Sequence, residues 1–149
     1  MGDEELGDVW RRREAILDAT AAVEAALAAP AAGEGWRETL RNALIGLHLT
    51  IHDHVAETEG PDGFLLRVRD DAPRLARQVE RLIGEHTDLT DLSTKLIERL
   101  DGVALERTEE EAAAVRDDAL HLLATVVRHR QRGADLIYEA YQVDVGGPG

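Results

Sequence analysis

The chain has no cysteine among its 149 residues, which excludes a disulfide framework, a thiolate metal site and a cysteine nucleophile. Aromatic residues make up only 3% of the sequence and prolines number four, whereas hydrophobic residues reach 44%. This composition, rich in alanine and leucine, favours helices over sheets. No run approaches the eighteen or so apolar residues of a transmembrane helix.

Basic residues are also few compared with acidic residues. The chain has 17 Lys and Arg against 30 Asp and Glu, a formal net charge of -13. Such a surface repels phosphate backbones and anionic lipid headgroups, so we expect no nucleic-acid and no membrane partner. The opening MGDEELGDVW has neither the basic start nor the apolar segment of a signal peptide, and we expect a cytoplasmic protein.

The length is that of one domain, so we expect a single domain over 1–149 with a short tail from about residue 142. Prolines, glycines and capping residues divide it into four helical segments: about 4–29, about 35–70 with a break at 60–61, about 73–100, and about 108–141. Asp71 is predicted to cap the third segment, with Pro73 in its first turn. Thr108 is predicted to open the fourth in a capping box with Glu111. Together these features predict an all-α, antiparallel up-down-up-down four-helix bundle.

Apolar residues recur at spacings of three and four along each helix, the pattern of a bundle seam. His54, His86 and His129 each occupy one position in the seam of the second, third and fourth helix. The other three histidines fall beside the seams and are predicted to face solvent: His48, His52 and His121.

The three seam histidines are predicted to lie at one height. Residues on adjacent antiparallel helices are level when they are equidistant from the turn between them. The midpoint of His54 and His86 falls at the turn near residue 70, and that of His86 and His129 at the turn near 107–108. Reflecting His54 through the first turn reaches Arg12 or Arg13. We therefore expect one layer of these side chains, with the imidazoles within roughly 10 Å of one another.

Two interpretations of this layer are open. Three neutral imidazoles from separate helices suit zinc, iron or a similar divalent ion. Alternatively, the histidines form a metal-free polar layer that bonds to nearby carboxylates and fixes the register of the helices.

Three segments resemble the hemerythrin-like family of histidine- and glutamate-rich cation-binding domains. They are His54-Val-Ala-Glu57-Thr58-Glu59, Glu85-His86 and His129-Arg-Gln-Arg-Gly133. The family pattern is a first-helix His, then His-x-x-x-Glu-Glu, Glu-His and His-x-x-x-Glu-Glu on the following helices. The resemblance covers about two-thirds of the chain and implies a four-helix bundle with a diiron centre that binds or senses oxygen, reacts with peroxide or nitric oxide, or handles iron.

The chain departs from this pattern at three positions. Thr58 and Gly133 stand where the family's bridging carboxylates belong, and Arg12 stands where its first-helix histidine belongs. A diiron centre needs carboxylates to balance two cations, so we expect a reduced site with one iron or zinc ion. Its predicted ligands are His54, Glu59, His86 and His129.

Four further residues are predicted to surround these ligands. Glu57, Glu85 and Asp135 are placed to accept hydrogen bonds from imidazole N–H groups. Arg12 opposes a metal's charge, so we expect it to pair with Glu59 or Asp135 when no ion is bound, making Arg12 and metal mutually exclusive. Gly133 is expected to leave a hole for water or a small ligand.

These features predict a metal-binding protein involved in oxygen or redox sensing or in iron handling, with a small molecule such as oxygen as its ligand. The alternative is a metal-free bundle that serves as an interaction or regulatory module, as a monomer or a homodimer. The sequence leaves open whether the protein is an enzyme.

Overall fold

The computed structural model describes residues 3–33, 35–102 and 109–143, which form helices and, within those ranges, no strand. The elements are α1 (Asp3–Ala28), α2 (Trp36–Glu59), α3 (Phe64–Asp71), a 3-10 turn (Pro73–Leu75), α4 (Ala76–Asp101), α5 (Glu109–Ile137) and a π-helical turn (Tyr138–Val143). The long helices pack in chain order, α1 on α2, α2 on α4 and α4 on α5. This confirms the predicted all-α four-helix bundle.

Glycines shape two of the connections. Gly35 precedes α2 with φ 76°, a left-handed conformation that glycine adopts without the steric penalty of a Cβ. The predicted break in the second segment is confirmed, because α2 ends before Gly60 and α3 begins after Gly63. A Cβ on Gly63 would clash with the carbonyl oxygen of Thr58. Glycine there lets the chain turn back closely enough for α3 to contact α4.

One predicted cap is wrong, and another lies outside the described residues. Asp71 is the last residue of α3, and Ala72, which precedes the 3-10 turn, makes no side-chain cap bond. Pro73 does occupy the first turn, where its missing N–H costs no hydrogen bond. Thr108 and its capping box fall outside the described ranges. At the other end, the π-helical turn continues through Val143, into the segment predicted as a tail.

The predicted seams form the interior of the bundle. In the third segment all eight seam positions are buried: Leu75, Val79, Leu82, His86, Leu89, Ser93, Leu96 and Leu100. The apolar members divide into two clusters. The large core includes Leu40, Leu44, Leu47, Leu89, Leu96 and Leu122, and the small core includes Leu65, Val68, Leu75, Val79, Leu82 and Leu136.

The seam histidines lie between these two cores. On α4, Leu82 belongs to the small core and Leu89 to the large core, with His86 between them. On α5, His129 likewise separates Val126 of the large core from Leu136 of the small core. The site described next is therefore a polar layer across the middle of the bundle.

Among the described helices, none is long and apolar enough to cross a bilayer.

Candidate metal centre

Three histidines from three helices meet inside the bundle. The ring centroids of His54 on α2 and His86 on α4 are 5.0 Å apart, and that of His129 on α5 lies 5.3 Å and 4.7 Å from them. His86 and His129 are 2% and 5% exposed, and His54 is half-buried. These distances confirm that the seam histidines form one layer. His52 and His121 are exposed, as predicted.

The Nε2 atom of His129 is the point at which the rings converge. It lies 3.1 Å from Nε2 of His86 and 3.2 Å from Nε2 of His54. Tetrahedral ligands about 2.0–2.1 Å from a zinc ion are separated from one another by about 3.3 Å. Two of the three spacings are close to that value, and all three ligand atoms lie within 4.8 Å of one another, a separation from which a small adjustment would form a site for one tetrahedral ion.

Carboxylates bond to the outer nitrogens of two of the rings. His86 donates from Nδ1 to Glu59 Oε2 at 2.7 Å, and His129 donates from Nδ1 to Glu85 Oε1 at 2.9 Å. An ionised carboxylate has no proton to give, so the ring proton is assigned to Nδ1 in both histidines. In its neutral form, each ring then carries its lone pair on Nε2, the nitrogen that faces the centre. Metal-binding histidines are oriented by carboxylates in the same way.

The Nε2 atoms of His86 and His129 are 3.1 Å apart, so a proton or another cation belongs between them. If both rings were neutral and protonated on Nδ1, no proton would lie between these two atoms. Two lone pairs at that distance repel each other. Either a proton on one of the rings or a metal ion between them removes the repulsion.

Burial disfavours a proton on His54 and on His129. Desolvation, with smaller contributions from His129, His86, Arg12 and Arg130, lowers the pKa of His54 to about 3. Burial also lowers the pKa of His129, although its hydrogen bond to Glu85 acts in the opposite direction. At neutral pH the rings of His54 and His129 are therefore neutral, which is the form of histidine that binds a metal.

The structure places Glu59 and Glu85 around the histidines but not in the central group. Glu59 was predicted as a metal ligand, yet its carboxylate lies at the outer nitrogen of His86, and the group of converging donors contains the three histidines alone among the described residues. Glu85 occupies its predicted position beside an imidazole, and it also pairs with Arg132.

Arg12 lies near the layer but has a different partner from the one predicted. Its Nε contacts Glu57 Oε2 at 2.8 Å, with both side chains about two-fifths exposed. The predicted pairing of Arg12 with Glu59 or Asp135 is therefore not observed, and Glu57 is paired with a guanidinium rather than an imidazole.

Asp135 faces away from the histidines. It is exposed and accepts a hydrogen bond from Gln131 Nε2 at 3.1 Å. Six residues after His129 correspond to a rotation of about 600° around the helix, which places Asp135 on a different face. Its predicted role beside an imidazole is thus not what the structure has.

The hemerythrin-like pattern has bridging carboxylates at two positions, and this chain has Thr58 and Gly133 there instead. Thr58 is buried, but its hydroxyl donates to the backbone carbonyl of His54 at 2.8 Å. At Gly133 an added Cβ would meet no atom within 4 Å, so there is open space there. A cavity of about 710 Å³ adjoins it and is also lined by all three histidines, Arg12, Arg13 and Arg130. The hole expected at Gly133 is thus present.

Sequence reasoning missed three contacts near the layer. The sequence pattern did not single out Arg132, which pairs with Glu85 and follows His129 by three residues, a spacing that places both on neighbouring positions of one face. Arg130 lines the cavity without any preceding signal in the periodicity. His48, which was predicted to face solvent, is half-buried and bonds through Nδ1 to Ser93 Oγ at 2.8 Å. The sequence signal that could have identified this contact was Ser93, a small polar residue in the seam of α4.

No protein-family model matches the chain, and neither a curated protein nor a solved structure was found that matches it.

Proposed function

We propose that this protein binds one divalent transition-metal ion through His54, His86 and His129. The observation that carries the proposal is the convergence of three ring nitrogens inside the bundle. Nε2 of His129 lies 3.1 Å from Nε2 of His86 and 3.2 Å from Nε2 of His54. Two of these rings bond to carboxylates on their outer nitrogens. The convergence of three ring nitrogens on one point favours a metal site over a polar layer that only fixes helix register.

Zinc is the ion that this donor set suits best, with iron(II) as the alternative. Three imidazoles and one open position are a familiar arrangement for zinc, which has no redox chemistry of its own. Non-haem iron(II) more often takes two histidines and a carboxylate, and Glu59 is already bonded to His86. Glu59 and Glu85 place two carboxylates next to the rings, of which Glu85 also pairs with Arg132.

The fourth position is proposed to open into the cavity of about 710 Å³ that the histidines line. A bound divalent ion supplies Lewis-acid chemistry to a water or small molecule there, and iron adds the capacity to bind oxygen. The histidines hold the ion, and Glu59 and Glu85 hold the histidines. We infer a role in sensing or handling a metal or a small molecule that reaches it.

We further propose that the chain is a divergent hemerythrin-like bundle. Supporting this are the helix order, the histidine positions on α2, α4 and α5, and the Glu85-His86 pair. The absence of carboxylates at Thr58 and Gly133 removes the bridging ligands, so the site proposed here holds one ion rather than two.

The proposal is tested by elemental analysis of protein purified without chelator, followed by calorimetric titration of zinc into chelator-treated protein. We expect about one ion per chain, because three protein ligands form one site. His86→Ala should retain almost no metal. His121→Ala is the matched control, because it removes an exposed histidine and should leave the metal content unchanged.

Two results would contradict the proposal. One is an absence of both native metal and zinc binding in the parent protein, which would favour the metal-free interaction module. The other is unchanged stoichiometric metal in His86→Ala, which would place the ion elsewhere. Circular dichroism of each variant establishes that the helices are retained.

A further inference from the structure

The two carboxylates behind the histidine layer are held in different ways. One oxygen of Glu85, Oε1, accepts a hydrogen bond from His129 Nδ1 at 2.9 Å, and the other oxygen, Oε2, accepts one from Arg132 Nη1. In the part of the chain that the structure describes, the Glu59 carboxylate has one such partner, His86. The difference between the two carboxylates therefore lies in Arg132.

Helix periodicity places Arg132 beside His129. The two residues are three apart on α5, so their side chains occupy neighbouring positions on one face of that helix. Glu85 reaches them from α4, which packs against α5. A guanidinium and an imidazole N–H from one helix thus bind the two oxygens of one carboxylate from the other.

This double contact fixes the orientation of the Glu85 carboxylate. The terminal torsion of a glutamate is broad, so a carboxylate with one partner can rotate, whereas donors on both oxygens define its plane. Arg81, one turn earlier on α4, also approaches Oε2, with its Nε 4.0 Å away, and its side chain is 65% exposed. Without Arg132, attraction to Arg81 would draw the carboxylate toward solvent and away from His129.

The orientation of Glu85 determines that of the His129 ring. Because Glu85 accepts a hydrogen bond from Nδ1, the ring proton stays on that nitrogen, and the Nε2 lone pair faces Nε2 of His86 and of His54. The Glu85 side chain is 12% exposed, so solvent has little access to this hydrogen bond. The protein itself must therefore supply the groups that hold the carboxylate in place.

We propose that Arg132 is a positioning residue of the histidine layer, which holds Glu85 against His129 and thereby keeps the His129 ring oriented for a metal ion. The effect on metal binding rests on the proposed function. The effect on the ring does not, because it depends on contacts that are present without an ion.

Arg99 provides a matched control for an ion pair that only joins two helices. Arg99 on α4 pairs with Asp118 on α5 at 2.6 Å, and its side chain is 36% exposed against 37% for Arg132. The two arginines therefore link the same helices with similar access to solvent. Among the described residues, however, the pair of Arg99 and Asp118 involves no histidine of the layer.

Heteronuclear NMR spectroscopy of isotope-labelled, chelator-treated protein at neutral pH tests the effect on the ring. The two imidazole nitrogens resonate at different frequencies according to which of them carries the proton, and His129→Gln assigns the signals. In the parent, His129 should carry its proton on Nδ1. Arg132→Gln should introduce the other tautomer or lose the Nδ1 proton signal through exchange with water. Arg132→Lys, which keeps a cation, should retain most of the parent pattern, and Arg99→Gln should retain all of it.

Calorimetric titration of zinc measures the consequence for the metal. Arg132→Gln should weaken zinc binding about three- to tenfold, less than the roughly 10–100-fold expected when the direct partner of a ligand is lost. Arg132→Lys should recover most of the affinity, and Arg99→Gln should bind zinc as the parent does. Circular dichroism and the melting temperature of the same samples establish that each variant is folded.

An unchanged His129 tautomer in Arg132→Gln would overturn the proposal. Equal changes in Arg99→Gln would also overturn it, because they would show that any ion pair between α4 and α5 has this effect. Unchanged or tighter zinc binding in Arg132→Gln would show that Arg132 does not support the metal ligand. If the parent binds no zinc, the proposed metal site fails, whereas the NMR comparison still decides whether Arg132 positions His129.

Discussion

The large core and the histidine layer are built by the same helices, yet they fill space differently. In the large core, Leu40, Leu44 and Leu47 are fully buried and pack against apolar side chains of α4 and α5. About two turns beyond Leu47 on α2, a histidine, His54, takes the seam position, and the layer adjoins a cavity of about 710 Å³. One region supplies stability through close packing, and the other gives up packing for polar groups and access.

The contrast between these two regions explains how a helical bundle accommodates a binding site. The large core and the small core lie on either side of the layer, so the helices are positioned by apolar contacts on both sides. The imidazoles are then oriented by Glu59 and Glu85 rather than by packing alone. Changes in the cores should therefore affect folding, and changes in the layer should affect binding.

The largest expected effect is in the large core. Leu44→Ala should lower the free energy of unfolding by about 2–5 kcal/mol, because it removes a fully buried side chain and leaves a cavity. Urea denaturation measures this. Leu49→Ala, on the same helix but 58% exposed, should cost less than about 1 kcal/mol. Similar losses for both would show that the seam is not the packed face.

The next largest effect concerns the carboxylate behind His129. Glu85→Gln should weaken zinc binding about 10–100-fold with little change in thermal stability, because the ring loses its charged hydrogen-bond partner. Calorimetric titration measures the affinity, and Glu80→Gln at an exposed position of α4 is the control. If both variants bind zinc as the parent does, Glu85 has no role in holding the ligand.

A pH effect follows from the buried His54. Its pKa is about 3 in the folded protein against 6.5 when unperturbed, so below pH 6.5 the unfolded chain takes up the proton more readily. The stability due to this group is complete above pH 6.5 and falls as the pH drops toward 3. In chelator-treated protein the loss at pH 5 should be about 1–2 kcal/mol.

The contribution of His54 is isolated by comparison with variants. His54→Gln should show a smaller loss of stability between pH 7 and pH 5 than the parent, since Gln does not titrate. His52→Gln removes an exposed histidine on the same helix and should retain the parent's dependence. Identical pH profiles for the parent and His54→Gln would mean that His54 is not buried in its neutral form.

The smallest effect is expected at Arg12. Arg12→His replaces a cation that lies near His54 with the residue type the resemblance expects on α1, and it should raise zinc affinity by a few-fold. Arg11→His is the neighbouring control on the same helix. If Arg12→His binds zinc no more tightly than the parent does, Arg12 and metal do not compete, and the predicted mutual exclusion is wrong.

The histidine layer was predictable because helix geometry is regular. Seam position and distance from a turn determine where a residue lies along a bundle, and these two quantities alone place His54, His86 and His129 together. The partners of Arg12 and Glu59 were not predictable in the same way. Long side chains choose among several nearby groups by rotamer and local charge, which helix periodicity does not encode.

His48 illustrates a second reason why some contacts could not be predicted from the sequence. A position beside the seam indicates exposure only if its neighbours fill the interior. Ser93 is small and 0% exposed, so it leaves room for the His48 ring and accepts its hydrogen bond. Prediction from one helix at a time misses such a pairing, because the deciding residue lies on another helix.

X-ray absorption spectroscopy of the zinc-loaded protein identifies the atoms bound to the ion, so it determines whether His54, His86 and His129 are the ligands. We predict three imidazole nitrogens at about 2.0–2.1 Å and one further light atom at the open position. In the His86→Ala protein this shell should be lost. A shell of oxygen atoms without imidazole, or an unchanged three-imidazole shell in His86→Ala, would contradict a metal site formed by His54, His86 and His129.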